Sequence, residues 1–422
     1  MEYQVSSHIT ERLSQLLTVD SVQKGVAFIE NDQDRCIQEQ VELTLIEAPT
    51  FHEEVRAAEF MARFQALGLQ DVHIDGGGNV VGMRKGFGNG PAILIEGHMD
   101  TVFPFGSVTK VEERDGFLYA PGIGDDTRAL AMILSLIRAY NDSGIQNAGD
   151  IYFVGTTREE GMGSLGGMKF FLDEKKDDIC ASLSIDNGNM AGITFEATGI
   201  KTYEINFYGI GGHAYGAFGR MANPLHAAAR AVAKIADFQV PEDPRTTFCV
   251  SNFHAGNDAG VHAIVPQATI KINFRSNSQQ ELERLNDRVF QAVQEACDEE
   301  TARWGKDTIT WDCALVCDAP AGAQDKHVPI VEACYSVVQH LGVEPVLSKG
   351  GSTNANIAIH YGIPAVCIGR GYFPPGVSMD IKNHSLDERY PIAGAYLAVQ
   401  EVFLMSLLCS GIVDQVQSII TP

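Results

Sequence analysis

No stretch of this 422-residue chain approaches the roughly 18 consecutive apolar residues of a membrane-crossing helix, so no membrane span is expected. Positive charge is scarce. The 31 Lys and Arg stand against 54 Asp and Glu, a net of -23 that opposes binding to nucleic acid or to anionic membranes. The nine cysteines include no Cys-x-x-Cys pair. Cys313 and Cys317 have a spacing zinc accepts, but no second ligand pair follows them. An odd number of scattered cysteines points to reduced thiols in a cytoplasmic protein. Residues 1–7 lack a basic segment followed by an apolar one, so no secretory leader is expected. Repeats and low-complexity linkers are missing too.

What is present suits a folded α/β protein. Hydrophobic residues make up 45% of the chain, enough core for two or three domains. Helical periodicity runs over residues 6–19, 33–47 and 52–67, and Thr50 with Glu53 has the spacing of a capping box. Residues 72–74 and 76–82 read as short strands. Ile93-Leu-Ile-Glu-Gly-His-Met-Asp100 is an apolar run whose end delivers His98 and Asp100 to one side. A glycine-rich turn then leads through Asp125 and Asp126 into a helix to about Tyr140. Capping that helix is the ordinary reading of the aspartate pair. Strands at 151–155 and 181–185 end in Glu159-Glu160 and Asp186, so three apolar strands carry polar residues at the same end.

From Gly199 the pattern changes to strand, helix, strand, strand, helix, strand, with the last strand at 308–316. This is the β-α-β-β-α-β order of a ferredoxin-like sandwich. The α/β pattern resumes at 317 with a helix at 328–341, the polar loop 349–356, a strand at 364–368, the segment Asn383-His-Ser-Leu-Asp-Glu and a final helix from 392. The expected architecture is a catalytic domain over 1–198 and 317–422, with a mainly parallel sheet flanked by helices, interrupted by a smaller domain over 199–316.

Six carboxylates, Asp100, Asp125, Asp126, Glu159, Glu160 and Asp186, are predicted to converge with His98 and His384. Like charges so gathered repel unless cations are supplied. Two divalent metals suit mixed histidine and carboxylate donors: zinc, with manganese or cobalt as substitutes.

These segments resemble the di-zinc metallopeptidase family of aminoacylase, carboxypeptidase G, succinyl-diaminopimelate desuccinylase and tripeptidase T. Gly97-His-Met-Asp-Thr-Val, Gly124-Asp-Asp, Glu159-Glu-Gly, Ile185-Asp-Asn-Gly, Gly211-Gly-His-Ala and Asn383-His-Ser-Leu-Asp-Glu occur in family order, from about residue 40 to the end. The resemblance implies that His98 and Asp186 bind one metal, Glu160 and His384 the other, and Asp125 both, with a cis peptide to Asp126. Asp100 would orient His98. Glu159 would be the general base that takes a proton from the attacking water and gives it to the leaving amine. The inserted domain would be a lid and dimerisation domain. In dimeric relatives the counterpart of its His213 stabilises the oxyanion in the partner's site, and Arg275 would grip a substrate carboxylate. The ordinary readings are a turn histidine and a solvated strand-end charge.

Two positions depart from the family pattern. His262 stands where many relatives have a substrate-binding asparagine, and Asn354 replaces an aspartate in the 349–356 loop, where it is a candidate substrate contact. The implied activity is hydrolysis of a peptide or amide bond in a small peptide or N-acyl amino acid, of exopeptidase, aminoacylase or tripeptidase type. A homodimer is an expected assembly. The alternatives are a catalytically silent peptide- or metal-binding member and a two-metal phosphoesterase.

Overall fold

The computed structural model describes residues 3–304 and 309–421. The chain forms two compact units, Met1–Ala197 with Ala323–Pro422, and Thr198–Gly322. The second junction therefore falls after residue 322 rather than 316. The last strand of the inserted unit is Thr310–Ala319, and it stays paired with Gly199–Tyr208 as far as Ala319 opposite Ile200. Thr308, the expected start of that strand, lies outside the described residues.

The larger unit is built on an eight-stranded sheet, ordered Gln70–Ile74, Val80–Arg84, Ile151–Thr156, Ile93–His98, Ala181–Asn187, Ala365–Gly369, Gly192–Glu196 and Val346–Lys349. The four strands from Ile151–Thr156 to Ala365–Gly369 run parallel. Parallel strands bring their carboxyl ends to one edge, so the residues that follow them are gathered there. Ile93–His98 is buried along its whole length, as a central strand covered on both faces must be. A Cβ at Gly97 would lie 2.6 Å from Ala129 Cβ, so glycine is what lets this strand approach the helix Thr127–Ser143.

That helix is buried on every side except at Asn141 and Asp142, so both of its faces need cover. The helices Asp20–Asn31 and Gln33–Thr44 supply part of it. Asp20–Asn31 was not foreseen between the two expected N-terminal helices; it starts directly after Ser7–Leu17 with only two residues between.

The smaller unit is an antiparallel sheet ordered Thr246–Ala255, Gln267–Ser276, Gly199–Tyr208, Thr310–Ala319. Helices Pro224–Ala236 and Gln279–Trp304 pack against its two central strands around a separate apolar core. This is the ferredoxin-like order expected from the element pattern.

Candidate metal centre

The donors meet at the carboxyl edge of the large sheet. His98 Nε2 lies 3.2 Å from Asp125 Oδ1 and 3.7 Å from Asp186 Oδ1. His384 Nε2 lies 3.3 Å from Asp125 Oδ2 and 3.0 Å from Glu160 Oε1. Each set, His98–Asp125–Asp186 and Asp125–Glu160–His384, has ligand atoms within 4.8 Å of one another. Asp125 belongs to both and turns one oxygen to each. His98, Glu159 and Glu160 form a third such group.

The backbone prepares His98 for this role. Its Nδ1 lies 3.0 Å from the Asp100 carbonyl, an acceptor only, so Nδ1 carries a proton and Nε2 is the ring atom turned to the aspartates. The Asp100 carboxylate is farther from that ring nitrogen, at 3.6 Å. Its stronger bonds come from the N–H groups of Glu159 and Glu160, at 2.9 and 3.0 Å, and from the Thr50 hydroxyl at 2.9 Å. Asp100 thus holds His98 through its carbonyl and the Glu159-Glu160 turn through its side chain. Thr50 is thereby taken from the predicted capping box. Glu53 makes no side-chain cap and instead accepts from the N–H groups of Phe51 and Arg158.

The aspartate pair does not cap its helix either. Asp126 occupies the N-cap position without a capping bond, and its Oδ2 accepts from the His98 N–H at 3.0 Å. The Asp125-Asp126 peptide is cis. The turn before it is held by Glu388, whose carboxylate accepts from the N–H groups of Gly122, Gly124 and Asp125 at 3.1, 2.9 and 2.8 Å. Asn354 is buried beneath the site. Its NH2 group donates to Glu96 Oε2 and Thr156 Oγ1, both at 2.8 Å, so an internal bond replaces the expected substrate contact.

Arg370 is the functional residue the motifs do not reveal. It follows the strand Ala365–Gly369 and is 1% exposed. Its NH1 donates to Asp186 Oδ1 at 2.6 Å and lies 3.6 Å from Asp126 Oδ1, while NH2 lies 3.3 Å from Asp125 Oδ2. The rule that exposed the other site residues, a polar residue directly after an apolar strand, also singles out Arg370.

The electrostatics are those of an acid-rich, desolvated basin. Burial pushes Glu159 well above the ordinary carboxylate range, helped by Asp186. Burial raises Asp126 likewise. For Asp125 burial acts in the same sense, but the Arg370 charge and the bonds from His384 and His98 outweigh it and hold the group well below that range. Bonds to Asp125 and Glu160 push His384 up to about 10. Carboxylates therefore draw positive charge onto His98, His384 and Arg370, and the six acids still outnumber these three basic groups. Oxygen and imidazole donors in two sets sharing one carboxylate fit two divalent ions.

His213 and Arg275 both lie in the smaller unit. His213 is exposed, in a two-stranded antiparallel ladder where Gly212–His213 pairs with Ala263–Ile264, next to His262. The N–H groups of Tyr215 and Gly216 both donate to its Nδ1 at 3.2 Å, which leaves the ring proton on Nε2. Arg275 is exposed near the end of its strand, its Nε donating to Asn273 Oδ1 at 3.3 Å.

A carboxylate-lined basin at the carboxyl edge of a parallel sheet, with two donor sets joined by one aspartate, defines a metal-dependent hydrolase. The chain belongs to peptidase family M20/M25/M40, whose sequence profile matches residues 94–405. It is a metallopeptidase or amidohydrolase of that family. Among curated relatives, the succinyl-diaminopimelate desuccinylase of Legionella pneumophila (strain Lens) is 26% identical over 303 residues, covering 66% of this chain and 76% of the relative. The aminopeptidase PepT from Bacillus cereus superposes with a TM-score of 0.72 at 22% identity, over 88% of this chain and 97% of that one. A dinuclear metal-binding M20 peptidase from Bacillus subtilis does so with a TM-score of 0.64 at 15% identity, over 90% and 99%.

Proposed function

We propose that the protein hydrolyses a peptide or amide bond in a small peptide or N-acyl amino acid, using two divalent ions, zinc or in its place manganese or cobalt. The reading rests on Asp125, whose Oδ1 faces His98 and whose Oδ2 faces His384. His98 and Asp186 would complete one ion's ligands, and Glu160 and His384 the other's. When bound, such ions lower the pKa of a water and polarise the scissile carbonyl.

Glu159, buried beside both donor sets, accepts the proton of the attacking water and passes it to the leaving amine. Asp100 keeps Glu159 and Glu160 in register through its two backbone bonds. The Nε2–H of His213 is a donor suited to the developing oxyanion, and Arg275 is a planar fork suited to a substrate carboxylate.

Protein stripped of metal should be inactive on di- and tripeptides and N-acyl amino acids, and should recover with zinc, manganese or cobalt. No metal-dependent hydrolysis across such a panel would overturn the proposal. Glu159→Gln should abolish turnover while metal content stays at about two ions per chain. Normal turnover by that variant would remove Glu159 from the mechanism, and a wild-type protein that binds metal without turnover would be a silent member.

A further inference from the structure

The loop after Ile151–Thr156 turns from Glu160 into Gly161 and Met162, and these three residues form one wall of a cavity of about 380 Å³. Segments 49–51 and 101–104 form the rest, presenting Phe51, Val102, Phe103 and Pro104. Glu160 also belongs to the donor sets of the metal centre, so the cavity opens directly beside the reacting groups.

Its walls are apolar and preformed. Phe51, Val102 and Met162 are 48%, 41% and 66% exposed, large apolar side chains left open to solvent beside a carboxylate cluster. Segments 49–51 and 101–104 are tied together where Pro49 bridges Thr101 and the Thr50 N–H donates to the Thr101 carbonyl at 3.2 Å. Phe51 is held at φ 73, uncommon for an aromatic residue, by its N–H bond to Glu53. The lining contains no Lys, Arg or His, and the Thr50 hydroxyl is engaged by Asp100.

We propose that this cavity is the subsite for an uncharged apolar side chain, of Leu, Met or Phe type, on a residue flanking the scissile amide. The inference rests on the hydrolase reading above. Apolar walls gain from burying such a group, whereas a carboxylate would lose its hydration against a lining that offers no Lys, Arg or His in return. An acyl group ending in a carboxylate, as in the substrate named for the desuccinylase relatives, is therefore disfavoured.

The test uses the metal-loaded full chain and substrates varied at each flank separately among Gly, Leu, Met, Phe and Asp. At one flank, kcat/KM for Leu, Met or Phe should exceed that for Gly by about tenfold or more, with Asp lowest. Met162→Asp, at an exposed position, and Val102→Asp should each reduce the Leu-to-Gly ratio at least tenfold, with metal content unchanged. Hydrolysis with a flat profile or an Asp preference at both flanks would overturn the subsite alone, as would ratios unchanged in both variants. No hydrolysis of any substrate would remove the hydrolase reading and the subsite with it.

Discussion

Arg370 carries the strongest local consequence. Its guanidinium is the cation built into a basin of six acids, and three of them lie within 3.6 Å of it. Removing one partner of a buried ionic group leaves the others uncompensated, which costs about 3–5 kcal/mol. Arg370→Met should therefore melt well below the parent when metal-free, and added divalent metal should recover more stability in the variant than in the parent. Equal metal-free melting temperatures would refute this. Glu388 acts at one remove, through three N–H bonds that shape the Asp125 turn. Glu388→Gln should weaken metal binding by about 10–100-fold in competition with a chelating dye, as loss of a ligand's supporting partner commonly does. His98, Asp125, Glu160, Asp186 and His384 were legible because each stands in a motif with recognisable spacing. Arg370 directly follows an apolar strand and Glu388 ends the Asn383-His-Ser-Leu-Asp-Glu segment, but what each does depends on partners more than 180 residues away, which no local pattern encodes.

Among the elements, the N-terminal helices are where the family motifs are silent and the structure is informative. Gln33–Thr44 packs on the helix that follows Asp126. Gln40 Nε2 donates to the Ile123 carbonyl at 2.6 Å, and Thr44 Oγ1 lies 2.7 Å from Thr127 Oγ1. Arg138 is held by Asp32 at 2.6 Å and Glu39 at 2.8 Å. The Gln40 and Thr44 bonds fix the start of the helix Thr127–Ser143, and the Arg138 pairs its later turns, from outside the motif-bearing part of the chain. The last helix, Tyr396–Ser410, holds Glu401 fully buried, with Cys334 Sγ 3.6 Å away as its hydrogen-bond partner. Burial raises its pKa well above the ordinary carboxylate value. The folded state then keeps a proton that the unfolded chain releases above about pH 4.3. This group's contribution to stability is therefore fully present below that pH and declines as pH rises toward the folded pKa, by up to ~1.4 kcal/mol per pH unit. Glu401→Gln should leave stability unchanged near pH 4 and raise it at pH 7–8, as read by denaturant unfolding. A variant no more stable at pH 8 would contradict the argument.

For the whole molecule, metal binding is also stability. Ions that bind the folded state stabilise it by RT ln(1 + [L]/Kd), about 2.7 kcal/mol at a hundred times Kd. Chelation should lower the melting temperature, and zinc, manganese or cobalt should raise it in a concentration-dependent way. A melting temperature indifferent to both would count against a resident metal. The expected homodimer is checked by light scattering, where a monomer at micromolar concentration would exclude it. The sequence by itself determined the α/β class, the inserted sandwich and the candidate donor residues, because periodicity and short motifs are local properties of the chain. It did not determine what Thr50, Asp126 and Asn354 do. Thr50 was read as a helix cap by spacing, Asp126 as one of six converging carboxylates with capping as its ordinary reading, and Asn354 as a substrate contact, yet they bond to Asp100, the His98 N–H and Glu96. Parallel pairing decided that. By aligning the ends of strands far apart in the chain, it placed these groups beside buried partners whose unmet hydrogen bonds cost more than a lost cap.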